Sequence, residues 1–192
     1  PGLFERALRG ARKALKLGFS VGFSATITPE SWRSQELHRI VELAKREKVH
    51  EVYVFDAMPS GRYQERDDLV DNRDWIDEMI SWAAPYNRDY GYPGITFLAH
   101  MSSHCSVGCA CGTSYFYLSP YGDMMSCDFN HAKFGNALDE PLWKVWERLS
   151  TQPEFCTAKW GGCKIKDAEY REHETVCGGH HEPLEIETEA RA

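Results

Sequence analysis

The reactive groups with the most chemistry in this 192-residue chain are seven cysteines, all between Cys105 and Cys177. Deprotonated cysteine sulfur is a nucleophile and a soft metal ligand. Cys109 and Cys127 bracket the stretch CACGTSYFYLSPYGDMMSC, which reads as an aromatic strand, a tight turn at Ser119-Pro120-Tyr121-Gly122 and a short return strand. Pro120 suits the second position of a turn and Gly122 accepts a positive φ. Folding the stretch as a hairpin brings Cys109 and Cys127 to the same open end. Two thiols side by side make either a disulfide or half of a metal site. The cysteine count is odd and no charged-then-apolar leader is visible, so metal or cluster binding is favoured over a disulfide framework.

The spacing runs Cys109, twelve residues, Gly122, four residues, Cys127; Cys156 and Cys163 follow with six residues between them, then Cys177. Cys105 and Cys111 flank Cys109. Structural zinc sites usually show closely paired C-x2-4-C knuckles. No C-x2-C occurs here, which leans toward an iron–sulfur cluster while leaving zinc open. His180 and His181 lie in the acidic stretch GGHHEPLEIETEARA, read as a solvated, disordered tail rather than a ligand pair.

The elements that must position these thiols change character halfway along. LFERALRGARKAL sets Phe4, Ala7, Leu8, Ala11 and Leu15 on one helical face, with Gly18 as a stop. Residues 21–28, VGFSATIT, read as a parallel strand buried on both faces. Thr28-Pro29 reads as an N-cap and first-turn proline for a helix with Leu37, Ile40, Val41 and Ala44 in register. Residues 51–57 form a second buried strand. A polar loop follows, then a helix carrying Trp75, Ile76, Met79, Ile80 and Ala83, then a strand at residues 94–99. This alternation predicts a parallel α/β sheet, in which catalytic groups sit on the loops after strand ends, here near Thr28 and Met58. Asp56 reads as a catalytic group or a turn cap, and Arg62 as an anion contact or a solvated loop residue. So few strands cannot close a barrel and leave open edges. With Pro1 in place of Met, the expectation is that further strands precede this segment in a longer protein. The second half is irregular and rich in Cys, Gly and aromatics, with an amphipathic helix from Asp139 placing Leu142, Val145, Trp146 and Leu149 inward.

Hydrophobic content of 42% and aromatic content of 12% suffice for a packed core, and a net charge of −7 argues against general nucleic-acid binding. No apolar run is long enough to span a bilayer. The expectation is a cytoplasmic protein with no nucleic-acid or membrane partner.

The ordered strings CACGTSYFYLSPYGDMMSCDF, FGNALDEPLWKVWERLSTQPEF and CKIKDAEYRE resemble the C-terminal region of radical S-adenosylmethionine (SAM) proteins, which carry a SPASM or shorter twitch domain with an auxiliary [4Fe–4S] cluster. Cys109, Gly122 and Cys127 fit that family's cysteine–glycine–cysteine pattern, and Cys163 to Arg171 is similar to its late cysteine followed by an acidic-aromatic-arginine run. The first half resembles the later strands of a radical SAM partial barrel. The resemblance implies the C-terminal part of a partial (β/α) barrel over residues 1–100, a small Cys-rich hairpin-plus-helix SPASM/twitch-like domain over 101–177, and a tail over 178–192.

It further implies Cys109, Cys127 and Cys163 as cluster ligands, with Cys156, Cys111 or Cys177 as a fourth, or an iron left open to substrate. Tyr115, Phe116, Tyr117 and Leu118 read as a shell for the cluster or simply as hairpin core, and Cys105 as a bystander. Thr28 and Met58 are implied on the SAM side. In the intact family, SAM and a second [4Fe–4S] cluster generate a 5′-deoxyadenosyl radical that modifies a peptide, cofactor or small molecule, with electrons from a donor such as flavodoxin or ferredoxin. The family's C-x3-C-x2-C core motif is absent from these residues, so this chain by itself is expected not to cleave SAM. The alternative is a non-catalytic zinc- or cluster-binding interaction or scaffold module.

Overall fold

The computed structural model describes residues 2–70, 73–89, 92–103, 105–152, 163–168, 171 and 184–185. Cys156, Cys177, His180 and His181 lie outside them. Contacts divide the chain into two units, Pro1–Ala57 with Asn72–His100, and Met58–Asp71 with Met101–Ala192.

The first unit is built on a parallel sheet. Strands β1 (Gly22–Ile27), β2 (Glu51–Asp56) and β3 (Gly94–Phe97) pair in that order, with Gly22 opposite Glu51 and Glu51 opposite Gly94. His50 sets the register at the strand starts. Its Nδ1 accepts from the Val21 N–H, its own N–H donates to the Val21 carbonyl, and its carbonyl accepts from Gly94. The helices are α1 (Leu3–Lys16), α2 (Pro29–Arg33), α3 (Glu36–Glu47) and α4 (Asp74–Arg88). Thr28 caps α2 as read from the sequence: its hydroxyl accepts from the Ser31 N–H, the Ser31 hydroxyl accepts from the Thr28 N–H, and Pro29 occupies the first turn. The core joins Leu37, Val41 and Ala44 of α3, Ile76, Met79 and Ala83 of α4, and Val52, Val54, Ile95 and Phe97 of the sheet. Burying each such aliphatic side chain stabilises the fold by about 1.5–3 kcal/mol. Asn87 locks α4 to β3 by bonding both the N–H and the carbonyl of Ile95.

Two expectations for these elements are corrected, the burial of β1 on both faces and the extent of the strand at 94–99. Strand β1 is not buried on both faces: Ala25 and Ile27 are buried, while Gly22, Ser24 and Thr26 are exposed. It is an edge strand, and its alternate positions carry small or polar residues that need no cover. Helix α1 buries none of its residues, and Phe4 is 58% exposed. Leu8, Ala11, Ala14 and Leu15 are partly buried, and an ion pair between Arg12 and Glu47, 2.6 Å apart, ties the helix to α3. Ile40 and Ile80 are only partly buried. The strand at 94–99 ends at Phe97, where α5 (Leu98–Met101) begins.

The second unit carries β4 (Tyr117–Leu118), β5 (Asp123–Met125), β6 (Ala132–Asn136) and β7 (Leu184–Glu185), paired in that order, antiparallel except for β6 with β7. Helix α6 (Leu142–Ser150) closes a core of Met124, Ala132, Phe134, Val145 and Leu149, with Phe116 and Trp146 packed against it. The helix starts at Leu142 rather than Asp139: Pro141 stands at the N-cap position with ψ 132°, and a proline keeps the residue before it out of the helical region. Leu142, in its first turn, is 41% exposed rather than inward. Arg148 binds both oxygens of Glu140, at 2.8 and 2.9 Å, and donates to the Phe134 carbonyl. Gly135, with φ +154°, sits against this network: a Cβ there would lie 2.6 Å from Arg148 Nη1 and 2.7 Å from Glu140 Oε1.

Two outcomes follow from this packing. Gly135→Ala should lower stability by about 1–3 kcal/mol, read as a shift of the denaturation midpoint without a change of slope. Asp123 is buried and its carboxyl is held below the usual carboxylate range, first by Lys133, 2.9 Å away, and then by Asn136 and Ser119. A depressed carboxyl stabilises the fold above its unfolded pKa of about 3.9, and that stability is lost as pH falls through its folded value. Asp123→Asn should therefore lose less stability than the parent between mildly acidic and strongly acidic solution; equal losses in parallel acid titrations would contradict it.

Candidate metal centre

The hairpin forms where the sequence places it. Gly122, with φ +89°, closes the turn: its N–H donates to the Ser119 carbonyl, and the Ser119 N–H donates to Asp123. Asn136 holds the turn from the neighbouring strand, donating to the Tyr121 carbonyl and to Asp123 Oδ1 and accepting from the Leu138 N–H. A side chain on Gly122 would lie 2.6 Å from Asn136 Oδ1, so the close approach requires glycine.

At the open end three thiols come together. The Cys111 thiol hydrogen-bonds the sulfurs of Cys109 and Cys127, which pushes its pKa far up, and burial adds to the effect. Cys127 is buried and its pKa is lowered, first by the bond from Cys111, then by the backbone N–H groups of Phe129 and Asn130. Asn130 fixes that turn by accepting from the Ala132 N–H through its side-chain oxygen. Partial burial, followed by the charge of Asp128, pushes the Tyr115 phenol up to about 12, and its hydroxyl donates to Asp128 Oδ1 at 3.3 Å. Phe116 is hairpin core and packs on Trp146, ring centroids 5.7 Å apart. Leu118 is 44% exposed, so it belongs to no buried shell; only two residues of its strand pair.

Cys163 begins a short 3-10 helix, Lys164–Lys166, and is partly buried. Cys105 is exposed. Cys105, Cys109, Cys111, Cys127 and Cys163 are all thiols rather than disulfides. Among the described residues, no group of three or more His, Cys, Asp or Glu side chains is arranged to hold a single metal ion; among the hairpin thiols Cys111 is the shared partner, bonded to Cys109 and to Cys127. Their chemistry fits an iron–sulfur cluster: the donors are all sulfur, and one sulfur already receives two backbone N–H groups of the kind that tune such clusters.

Other candidates from the sequence sit elsewhere. Thr28, at the end of β1, has its hydroxyl committed to the α2 cap. Asp56 is buried at the end of β2, and Met58 is buried. Arg62 is exposed in a 3-10 turn, Gly61–Tyr63. Sequence reasoning missed the backbone donors to Cys127 and the Asn136 brace. The Asp128-Phe129-Asn130 run, rich in turn-forming residues directly after a cysteine, was the available signal for the first.

Residues 109–177 match the family model of SPASM, an iron–sulfur cluster-binding domain. The chain is similar to an AdoMet-dependent heme synthase of Methanosarcina barkeri, 27% identical over a match covering 86% of this chain and 54% of the relative. It is also similar to an AdoMet-dependent heme synthase of Nitratidesulfovibrio vulgaris, 22% identical over 93% of this chain and 53% of the relative. The chain thus spans about half the length of the curated relatives it matches. No described helix is long and apolar enough to cross a membrane.

The hydrogen bond from Cys111 is the largest cause of the lowered Cys127 pKa. In the iron-free chain, Cys111→Ala should therefore slow alkylation of Cys127 near neutral pH, because less thiolate is present. Peptide mass spectrometry of the alkylated thiol measures this, and an unchanged rate would sink the assignment of donor and acceptor.

Proposed function

We propose that this chain, whose residues 109–177 match the SPASM iron–sulfur cluster-binding domain, is the cluster-bearing portion of a radical SAM enzyme and holds one auxiliary [4Fe–4S] cluster. The observation that carries this reading is the meeting of Cys109, Cys111 and Cys127 at the open end of the hairpin. Those three sulfurs and Cys163 are the proposed ligands, with Cys156 as the alternative fourth. Bound there, the cluster supplies one-electron exchange or a Lewis-acidic iron.

The protein's own contribution is orientation and shielding. The Asn136 brace and the α6 core hold the hairpin rigid, so its cysteines are presented in one geometry. The N–H groups of Phe129 and Asn130 stabilise negative charge on the Cys127 sulfur. The Tyr115 phenol, neutral at ordinary pH, shares this environment.

The first unit is proposed as part of a partial (β/α) barrel with Thr28 on the SAM side; Met58, which belongs to the second unit, is proposed for the SAM side as well, and the electron donor is proposed to be of the flavodoxin or ferredoxin type. That both relatives are AdoMet-dependent heme synthases supports a substrate of the cofactor class, a tetrapyrrole precursor of haem being the first candidate.

Anaerobic reconstitution with ferrous iron and sulfide should give a brown protein with about four irons and four sulfides per chain, the content of a single [4Fe–4S] cluster. Cys109→Ala or Cys127→Ala should abolish loading, and Cys105→Ala should leave it intact. Colourless protein with tightly held zinc would overturn the reading in favour of a structural metal module; loss of loading in Cys105→Ala alone would overturn the ligand set.

A further inference from the structure

The loop after β2 belongs to the second unit, together with the thiols. Two contacts far apart in sequence hold it there. Arg171 spreads its guanidinium across the loop, Nη1 donating to the Pro59 carbonyl at 2.7 Å and Nη2 to the Gln64 carbonyl at 2.6 Å. Between those anchors, the Ser60 hydroxyl donates to the Phe129 carbonyl at 3.2 Å. The Ser60 backbone is held as well: its N–H donates to the Met58 carbonyl and its carbonyl accepts from the Tyr63 N–H. The hydroxyl is thus presented from a loop fixed at three points.

The Phe129 carbonyl and the Asn130 N–H are the two ends of one peptide group. Ser60 donates to its oxygen, and its nitrogen donates to the Cys127 sulfur. A donor on a peptide oxygen polarises the amide and strengthens the bond made by its N–H, as in any hydrogen-bonded chain. We propose that Ser60 is a positioning residue for the Cys127 sulfur, acting through the Phe129–Asn130 peptide, and that Arg171 is the clamp that presents it.

This inference rests on the cluster reading above. Hydrogen bonds to a ligand sulfur favour the reduced, more negative state of a cluster and so raise its potential. Ser60 lies outside the match at residues 109–177, within which Arg171 falls. The late arginine of the sequence thereby acquires a role: it fastens a loop from the other half of the chain against the cysteine turn.

The test is a dye-mediated redox titration of the full chain, reconstituted anaerobically with ferrous iron and sulfide and followed by absorbance and electron paramagnetic resonance. Ser60→Ala should load as the parent does. Its reduction equilibrium constant against a fixed donor should fall by up to about tenfold, a shift of about 59 mV to more negative potential for one electron. Ser60→Thr keeps the hydroxyl and should restore most of the difference. Arg171→Lys keeps the charge but loses the fork, and should shift the potential in the same direction. This second variant decides the matter if Ser60→Ala fails to load. A loaded Ser60→Ala with the parent's potential overturns the inference and leaves the cluster reading standing. A parent chain that takes up no iron and sulfide overturns both.

Discussion

A buried sulfur that carries negative charge needs hydrogen-bond donors, and at Cys127 they come first from the Cys111 thiol and then from the backbone. Desolvation alone would hold that thiol neutral. The Phe129 and Asn130 N–H groups oppose it, and they are aimed only when the 127–130 segment is turned back on its own cysteine. That turn is completed by the Asn130 side chain, which caps the Ala132 N–H at the first residue of β6. The environment of the sulfur and the start of the next strand are therefore one construction, and the cysteine turn cannot be remade without disturbing the sheet.

The same sheet fixes the far end of the hairpin. Asn136, the last residue of β6, reaches the turn and Asp123, so both ends of the hairpin are tied to one strand. Helix α6 lies on that strand through Val145 and Leu149, while Arg148 binds the Phe134 carbonyl and Glu140 together. Gly135 leaves the room for this crossing. A cluster site gains from such bracing, because thiolates held by a loose loop would sample geometries that bind iron poorly.

In the first unit, order is imposed at the strand starts by His50 and at the end of α4 by Asn87. Asn87 does this with paired side-chain bonds to Ile95, and His50 with one ring bond from the Val21 N–H beside its own backbone bonds, so register is set without burying charge. Strand β1 leaves one face exposed and α1 buries none of its residues.

Much of this architecture was legible in the sequence. The spacings of Leu37, Val41 and Ala44, and of Trp75, Ile76, Met79 and Ala83, gave the helices; Thr28-Pro29 gave a cap; Ser119 to Gly122 gave the turn that joins Cys109 to Cys127. These signals are local, since periodicity and turn chemistry act within a few residues. Burial of both faces of β1 was misread, because an apolar run records what a surface prefers and not whether anything covers it. The donors to Cys127 and the pairing of Ser60 and Arg171 with their partners were beyond sequence reading for a related reason. Ser60 stands 69 residues from Phe129, and Arg171 stands 112 from Pro59. By itself the sequence determined which residues had the chemistry and the local bends to meet. Only the tertiary structure decided which peptide N–H faces which sulfur, because a hydrogen bond depends on distance and angle, and long-range folding sets both.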